Sequence, residues 1–278
     1  MTNSEVKVNL DRIMTPASRC ICLRLGKIDG SALKSLEDND YDFAPVLDEA
    51  DLALGLISTV RAKELAPQCG FLTSADLERE HLRLPETVDL NRLLTALRNR
   101  PAILVGPEMG ADAPPIVWTG FLTIYDLNRH YFRALLYSLI AELEVSLAST
   151  IEAGWRDPWD WIEILNEEEQ ARIIGYWRLA ERRHADIGPT AAFMLTQLLK
   201  VTGRDKRTLT DLGFQSKSEF EQMSGSFPEL RNQIMHPVRP LILRPQDTER
   251  LADRIEKLRD LNLRFAKLKE QRAASAKV

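Results

Sequence analysis

Hydrophobic residues in the first half of the chain form short runs that alternate with stretches of helical length. This alternation predicts a mixed α/β fold. Strands are predicted over residues 19–25, 44–48, 55–59, 102–106 and 116–122. Helices are predicted over residues 31–37, 59–65 and 90–97 and from Asp126, with a loop at 107–115. This order of strands and helices occurs twice, at a period of roughly 60 residues. It indicates an internal repeat of two modules, about 12–66 and 72–130.

The second half of the chain has a helical pattern from Leu127 onward. One predicted helix, over residues 128–152, has an apolar face with three- and four-residue spacing, formed by Leu136, Ile140, Leu143, Leu147 and Ile151. Further helices are predicted over 167–183, 190–201, 217–223 and 227–235 and after Pro245, where Leu251, Ile255, Leu258 and Phe265 form a stripe. The pattern therefore predicts an α+β domain over residues 1–128 and an all-α domain of four to six helices over 129–278.

Composition and charge are those of a globular protein. Hydrophobic residues make up 44% of the chain, charged residues 28%, and the formal net charge is -4, which argues against a generic nucleic-acid-coating protein. From Glu229 onward, however, there are 12 basic and 7 acidic residues. This basic segment favours an RNA partner, although a solvated helix face explains it nearly as well. The N-terminus lacks the apolar core of a signal peptide and no run is read as a membrane span, so we expect a cytoplasmic protein with no membrane partner.

The cysteines and tryptophans are expected mainly to pack in the protein interior or in an interface. Cys20 and Cys22 are predicted to alternate along a strand, and the three cysteines show neither a disulfide framework nor a zinc spacing. The four histidines show no metal-ligand pattern, so no metal is expected. Four tryptophans lie between residues 155 and 177. They either stack on RNA bases or pack in a core or interface.

Two segments of the first half resemble tandem CBS domains, modules that pair and bind adenine nucleotides in the clefts between them. They are Ile13-Met14-Thr15-Pro16 and Gly120-Phe121-Leu122-Thr123-Ile124-Tyr125-Asp126. The family's nucleotide-contacting segment reads glycine, two apolar residues, serine or threonine, two further residues and aspartate, and the second module matches throughout. The resemblance implies that Gly120 and Thr123 lie at the ligand, with Thr123 and a helix N-terminus holding phosphate. It also implies that Asp126 accepts hydrogen bonds from the ribose hydroxyls.

The first module departs from this pattern at one position. Its segment is Gly55-Leu56-Ile57-Ser58-Thr59-Val60-Arg61, in which Arg61 replaces the aspartate. Gly55 and Ser58 fit, whereas Arg61 argues against ribose binding and could favour additional phosphates. The resemblance implies a regulatory ligand, ATP, ADP or AMP, and the absence of a P-loop sequence gives no indication of hydrolysis. The alternative is a CBS pair that binds nothing and only dimerises.

An arginine, an amide and an imidazole lie within two helical turns near the end of the chain. The stretch is Arg231-Asn232-Gln233-Ile234-Met235-His236, followed by Pro237. A Ser226–Glu229 capping box and Pro237 predict a short helix from Phe227 to Met235. Asn232 and His236 then share a face, whereas Arg231 lies on another. An ordinary surface helix end is the alternative to a functional site.

This stretch resembles the Arg-Asn-x-x-x-His motif of the HEPN family, helical domains of which many are metal-independent ribonucleases. The resemblance implies a homodimer in which two motifs face each other, so that Arg231 could serve the partner's site. It implies RNA cleavage by attack of the ribose 2′-OH on the adjacent phosphate. His236 would transfer protons, Arg231 would stabilise the charged phosphate, and Asn232 would orient the histidine or the phosphate. A toxin or antiviral defence role, with an antitoxin or regulatory partner, would fit. The alternative is a non-catalytic dimeric CBS sensor or scaffold whose helical domain binds a partner.

Overall fold

The computed structural model of the chain describes residues 6–68, 70–77, 83–107, 117–154 and 157–275. It divides into two compact units. The first comprises Met1–Phe132 and Leu241–Ala252, and the second comprises Arg133–Pro240 and Asp253–Val278. The predicted fold class, a mixed α/β half followed by an all-helical half, is confirmed.

The first unit contains short strands that alternate with helices. The strands are β1 (Lys7–Asn9), β2 (Thr15–Pro16), β3 (Leu23–Arg24), β4 (Gly26–Lys27), β5 (Phe43–Leu47), β6 (Ala53–Ser58), β7 (Phe71–Leu72), β8 (Arg83–Leu84), β9 (Thr87–Asp89), β10 (Ala102–Val105) and β11 (Gly120–Thr123). The α-helices are α1 (Gly30–Asp38), α2 (Thr59–Gln68) and α3 (Leu90–Asn99). Single 3₁₀ turns occupy Leu10–Arg12, Ala17–Arg19, Ser74–Asp76 and Ile124–Asn128.

Two antiparallel hairpins form the centre of the internal repeat. β5 pairs with β6, and β10 pairs with β11. Each hairpin has a parallel edge strand, β3 beside β5 and β8 beside β10. In addition, β2 pairs with β11, so a segment from the start of the first module belongs to the sheet of the second. Smaller antiparallel pairs join β1 to β9 and β4 to β7.

Both faces of the hairpins are buried, which explains why their strands read as nearly continuous apolar runs. One face, including Val46 and Ile57, packs with Leu36 of α1 and Leu65 of α2. The opposite face forms a second cluster in which both hairpins take part, composed of Leu47, Ala53, Leu56, Ala102, Leu104, Trp118 and Phe121. This shared cluster fixes the two modules against each other within the first unit.

Two predicted strands are shorter than expected. The strand predicted over 19–25 is reduced to β3, because Arg19 ends a 3₁₀ turn that the Cys20 N–H closes on Ala17 O, 3.2 Å away. Cys20 and Cys22 therefore lie outside the strand to which they were assigned. The strand predicted over 116–122 begins at Gly120. Ile116 and all of the predicted loop except Pro107 lie outside the described residues.

The second half of the chain is a set of helices. They are α4 (His130–Gly154), α5 (Pro158–Ile162), α6 (Glu167–Arg182), α7 (Leu195–Thr202), α8 (Lys206–Asp211), α9 (Lys217–Ser224), α10 (Phe227–Met235) and α11 (Pro245–Ser275). The predicted apolar faces of α4 and α11 are buried, with Ile140, Leu143 and Ile255 fully so. The helix that carries the Arg-Asn-x-x-x-His stretch is next to last, as predicted.

Several details of the helical half differ from the prediction. The expected count of four to six helices is too low, because the pattern does not reveal the short helices α5 and α8. The helix predicted over 190–201 is a 3₁₀ turn at Pro189–Ala192 followed by α7. Ser226 does not cap α10, since its backbone is already helical (φ -87°, ψ -8°) in the two-residue turn after α9. Glu229 pairs with Arg254 instead, at 2.6 Å.

One helix is long and apolar enough, by length and composition, to cross a membrane. Among the described residues this is α4, so the expectation that no run reaches membrane-span length is wrong for 130–154. The core helix of a globular protein can have the same length and apolar composition. Within α4, 33% of the most apolar 18-residue window is buried, and the Nδ2 atom of Asn262, on α11, donates a buried hydrogen bond to Leu139 O at 2.9 Å.

Candidate functional site

A cavity of about 1060 Å³ lies in the first unit. Its wall comes from the segment around β2, the turn between α1 and β5, and the end of β11. The polar side chains of its lining include two arginines, three aliphatic hydroxyl groups and three aspartates: Arg19, Arg129, Thr15, Ser58, Thr123, Asp40, Asp42 and Asp126. The ring of Tyr41 adds an apolar face. Guanidinium and hydroxyl donors beside an aromatic ring suit a phosphate-bearing ligand that also has a planar group.

Thr123 and Asp126 form a compact turn at the end of β11. Oδ2 of Asp126 accepts hydrogen bonds from the N–H of Thr123 at 2.8 Å and from its hydroxyl at 3.1 Å. Because this fixes the first residues after the strand, the chain enters the 3₁₀ turn Ile124–Asn128 and then α4. We call this arrangement a Thr-Asp turn.

Arg129 occupies the other oxygen of Asp126. Its Nε donates to Oδ1 at 2.8 Å, and its Nη2 lies 2.7 Å from the same atom. Nη2 also donates to the hydroxyl of Thr15 at 3.1 Å. Burial raises the pKa of the Asp126 carboxyl, and the bonds from Thr123 and Arg129 act in the opposite direction. The carboxylate is in contact with about as many donors as its lone pairs can accept, so ribose hydroxyls could reach Oδ1 only if Arg129 moved.

The same turn occurs once more, 50 residues earlier. Gly70-Phe71-Leu72-Thr73-Ser74-Ala75-Asp76-Leu77 shares six of its eight residues with Gly120-Phe121-Leu122-Thr123-Ile124-Tyr125-Asp126-Leu127. Oδ2 of Asp76 accepts from the N–H of Thr73 at 3.1 Å and from its hydroxyl at 2.6 Å. The two threonines have nearly identical backbone angles, φ -115° and ψ 165° against φ -114° and ψ 166°.

An arginine binds the aspartate of this earlier turn as well. Nη2 of Arg61 lies 3.0 Å from Oδ1 of Asp76, as Arg129 binds Asp126. Comparing the sequence with itself at an offset of 50 residues would have detected this repeat. The strand pattern alone aligns Gly120 with Gly55 and thereby hides it.

The structure brings some of the predicted nucleotide-contacting residues to the cavity and leaves others elsewhere. Ser58, Thr123 and Asp126 line it. Arg61 is not among its lining residues and binds Asp76 and, at 3.3 Å, Glu64. Arg19 and Arg129 line it but are not part of the glycine-to-aspartate segment, so the sequence pattern does not identify them.

The two predicted glycines have structural positions. Gly55 lies in β6 opposite Val46. At Gly120 a Cβ atom would lie 2.8 Å from the backbone oxygen of Thr15 and would also collide with Met14. Gly120 therefore allows the close approach of β2 to β11, the strand that leads into the cavity wall.

The Arg-Asn-x-x-x-His stretch lies at the C-terminal end of α10. The helix ends at Met235, and His236 leaves the helical conformation (φ -110°, ψ 89°), as predicted from Pro237. Asn232 and His236 are exposed. Within the described part of the chain, no hydrogen bond joins their side chains. Nε of Arg231 lies 3.6 Å from Oε1 of Glu144 on α4, so this arginine already has an acidic partner.

A buried arginine on α4 fixes the backbone on both sides of His236. Arg133 is 4% exposed. Its Nη1 donates to Gln233 O and its Nη2 to Arg239 O, both at 2.6 Å. These carbonyl groups lie three residues before and three residues after His236. Arg133 therefore sets the course of the segment that carries the imidazole, and the sequence pattern gives no hint of this role.

The remaining histidines and acidic side chains give no indication of a metal centre. Over the residues that the structure describes, no group of three or more His, Cys, Asp or Glu side chains could hold a metal ion. His184 is an exposed residue at the end of α6, and His130 is exposed at the start of α4. His81 lies outside the described residues.

Comparisons with known proteins find likenesses to solved structures only. No family model matches the chain, and no curated protein matches it. A CBS domain-containing protein of unknown function from Bacillus anthracis str. Ames Ancestor is 20% identical, covering 48% of this chain and 94% of its own, with a TM-score of 0.36. The CBS domain of the bacterial CNNM/CorC family Mg²⁺ transporter in complex with ATP is 22% identical, covering 43% and 84%, with a TM-score of 0.34. CbpB in complex with c-di-AMP is 15% identical, covering 49% and 91%, with a TM-score of 0.35.

Proposed function

We propose that the first unit binds an adenine nucleotide in the 1060 Å³ cavity and that the helical unit cleaves RNA without a metal ion at Arg231, Asn232 and His236. The nucleotide is the signal and RNA cleavage is the response. The single observation that carries the binding part is the pair Arg129–Asp126 on the cavity wall. The RNA-cleaving part rests on the resemblance of the stretch on α10 to the HEPN motif and on its exposed position.

Nucleotide binding would exchange the partners of Arg129. A phosphate group offers a guanidinium a bidentate, doubly charged partner that competes well with one carboxylate oxygen. Once Arg129 turns to the phosphate, Oδ1 of Asp126 becomes free to accept hydrogen bonds from ribose hydroxyls. Arg19 supplies a second cation, and Tyr41 an aromatic face for the base. The roles implied for Thr123 and Asp126 by the CBS resemblance become compatible with the structure through this exchange.

Calorimetric titration of the full chain with ATP, ADP and AMP tests the binding part, with GTP as a control for the base. The matched variants are Arg129→Gln and Arg61→Gln, because each removes the arginine from one Thr-Asp turn. We expect saturable binding to the wild type. In Arg129→Gln the affinity should fall by at least about tenfold, because one charge-assisted pair of hydrogen bonds is lost. Equal weakening in both variants, or weakening in Arg61→Gln alone, would place the ligand elsewhere.

The proposed reaction uses only groups of this chain and of the RNA. His236 accepts the proton of a ribose 2′-OH, the 2′-oxygen attacks the adjacent phosphorus, and the bond to the 5′-oxygen breaks. The His236 imidazolium then gives this proton to the leaving 5′-oxygen, which yields a 2′,3′-cyclic phosphate and a 5′-hydroxyl end. Arg231 stabilises the charge on the phosphate, and Asn232 orients the imidazole or the phosphate. Since Glu144 attracts Arg231, this arginine would leave its ion pair for the substrate or act in the partner protomer's site of a homodimer.

One observation favours a second candidate, a non-catalytic dimeric sensor or scaffold. The ion pair between Arg231 and Glu144 gives this arginine a structural role that needs no RNA. In this case the helical unit binds a regulatory partner such as an antitoxin. Replacing both Arg231 and His236 by alanine separates the two functions in cells. A ribonuclease that acts as a toxin or a defence effector loses its phenotype, whereas a scaffold keeps both its phenotype and its partner.

A further inference from the structure

A second, smaller cavity lies in the helical unit, against α5 and α6. Its volume is about 440 Å³, and its lining includes Trp159, Trp177, Glu181, Asp186 and Ile187. The two indole rings stand edge to face, with centroids 6.0 Å apart and an interplanar angle of 87°. We call this cavity the tryptophan pocket.

One ring is fixed and the other is accessible. Nε1 of Trp177 donates to Pro189 O at 2.9 Å, and the buried Trp161 supports the same ring at a centroid distance of 6.0 Å. Trp159, in contrast, is 51% exposed. A large indole left half in water beside a cavity is more costly in free energy than a packed one, so the pocket favours an occupant that covers it.

The charged side chains that line the pocket are both acidic among the residues that the structure describes. Glu181 lies one helical turn after Trp177, and the chain then turns at His184, whose φ of 51° is in the left-handed region, and returns to the pocket with Asp186. Both carboxylates are exposed, and neither forms an ion pair with any residue in the described ranges. Two carboxylates repel a phosphate backbone, so this pair of tryptophans is a poor platform for stacking RNA bases.

We propose that the tryptophan pocket binds an arginine side chain of a partner protein. A guanidinium can stack on the face of an indole ring and at the same time donate to carboxylates, and Arg combines both interactions better than Lys. The proposal is independent of the nucleotide site and of RNA cleavage. It assigns to the helical unit a docking surface for a basic segment of another protein.

Fluorescence anisotropy with a labelled peptide of alternating arginine and glycine tests the proposal on the full chain. A peptide in which citrulline replaces arginine is the neutral control probe. Trp159→Leu removes the exposed ring but keeps an apolar side chain, and Glu181→Gln combined with Asp186→Asn removes the charge without touching the core. The control variant is Glu167→Gln combined with Glu168→Gln, which removes two exposed carboxylates of α6 outside the pocket.

We expect the arginine peptide to bind, the citrulline peptide to bind much more weakly, and each pocket variant to lose about three- to tenfold in affinity. The control variant should keep the wild-type affinity. Equal loss in the control variant, equal binding of citrulline peptide, or no binding to the wild type would overturn the proposal. So would a single-stranded RNA that loses affinity for Trp159→Leu while the arginine peptide does not.

Discussion

Arg129 and Asp126 are joined through one carboxylate oxygen, with Nε at 2.8 Å and Nη2 at 2.7 Å from Oδ1. The side chain of Asp126 is 10% exposed and that of Arg129 is 44% exposed. The pair therefore brings a buried carboxylate into contact with a guanidinium that faces the cavity. A ligand that takes the arginine changes the surroundings of the aspartate at the same time.

Removing the arginine should destabilise the first unit. Arg129→Ala leaves Asp126 buried with fewer donors, and we expect a loss of about 1–2 kcal/mol in the free energy of unfolding. Arg24→Ala is the matched control, because Arg24 and its partner Asp51 are 53% and 70% exposed, and such pairs contribute little. Urea unfolding measures both. If Arg24→Ala lowered the free energy of unfolding as much as Arg129→Ala, the stabilising role assigned to Arg129 would be wrong.

Gly120 should not tolerate a methyl group. In Gly120→Ala the new Cβ would lie 2.8 Å from Thr15 O, and backbone cannot move away cheaply, so we expect a loss of at least about 2 kcal/mol. At Gly175 of α6 nothing lies within 4 Å of an added Cβ. Gly175→Ala should therefore stabilise the protein by up to about 1 kcal/mol through helix propensity. Thermal unfolding of both variants checks the opposite signs.

Arg133 should be essential for the order of the segment around His236. Arg133→Met keeps the apolar stem but leaves the carbonyl groups of Gln233 and Arg239 without their donors. We expect a loss of about 2–4 kcal/mol, as for other buried charged hydrogen bonds. Arg133→Lys should rescue little, because an ammonium cannot reproduce the fork of a guanidinium. Hydrogen exchange of the Arg239 amide, which now donates to His236 O at 2.8 Å, should accelerate in both variants. Unchanged exchange would show that Arg133 does not position this segment.

The thiols of Cys20 and Cys22 should react slowly at ordinary pH. Burial raises the pKa of Cys20 to about 12 and that of Cys22 to about 11, from an ordinary value of 9.0. Only the thiolate reacts, so alkylation by iodoacetamide at pH 8 should be about a hundredfold slower, or more, than in urea-unfolded protein. In the unfolded state these thiols lose their protons at a lower pH than in the folded state. Deprotonation therefore favours unfolding, and the free energy of unfolding should fall as the pH rises above 9. Mass spectrometry of the tryptic peptide Cys20–Arg24 gives the rates; equal rates in the folded and unfolded protein would exclude the predicted shifts.

The sequence was sufficient for the longer helices, for the hairpin strands and for their apolar faces, but not for the short strands and the short helices α5 and α8. Hydrophobic residues predicted α1, α3, α4 and the strands of both hairpins, because each of these helices buries one face and the hairpin strands bury both. It did not predict the pairing of β2 with β11, since strand partners far apart in sequence leave no local trace. The same limit concealed Arg19 and Arg133, whose roles depend on which distant backbone or cavity their side chains reach.

The exposed imidazole of His236 is the central element of the proposed ribonuclease, and cleavage of a labelled RNA in EDTA tests it most directly. Wild type, His236→Asn and His184→Asn are compared with and without ATP and AMP. His184 is the matched control because it is also exposed and because asparagine tolerates its left-handed backbone. We predict 2′,3′-cyclic phosphate ends from wild type and His184→Asn, and a rate about 10²–10⁴-fold lower for His236→Asn. Equal cleavage by His236→Asn and wild type, or no cleavage under any of these nucleotide conditions, would contradict the account.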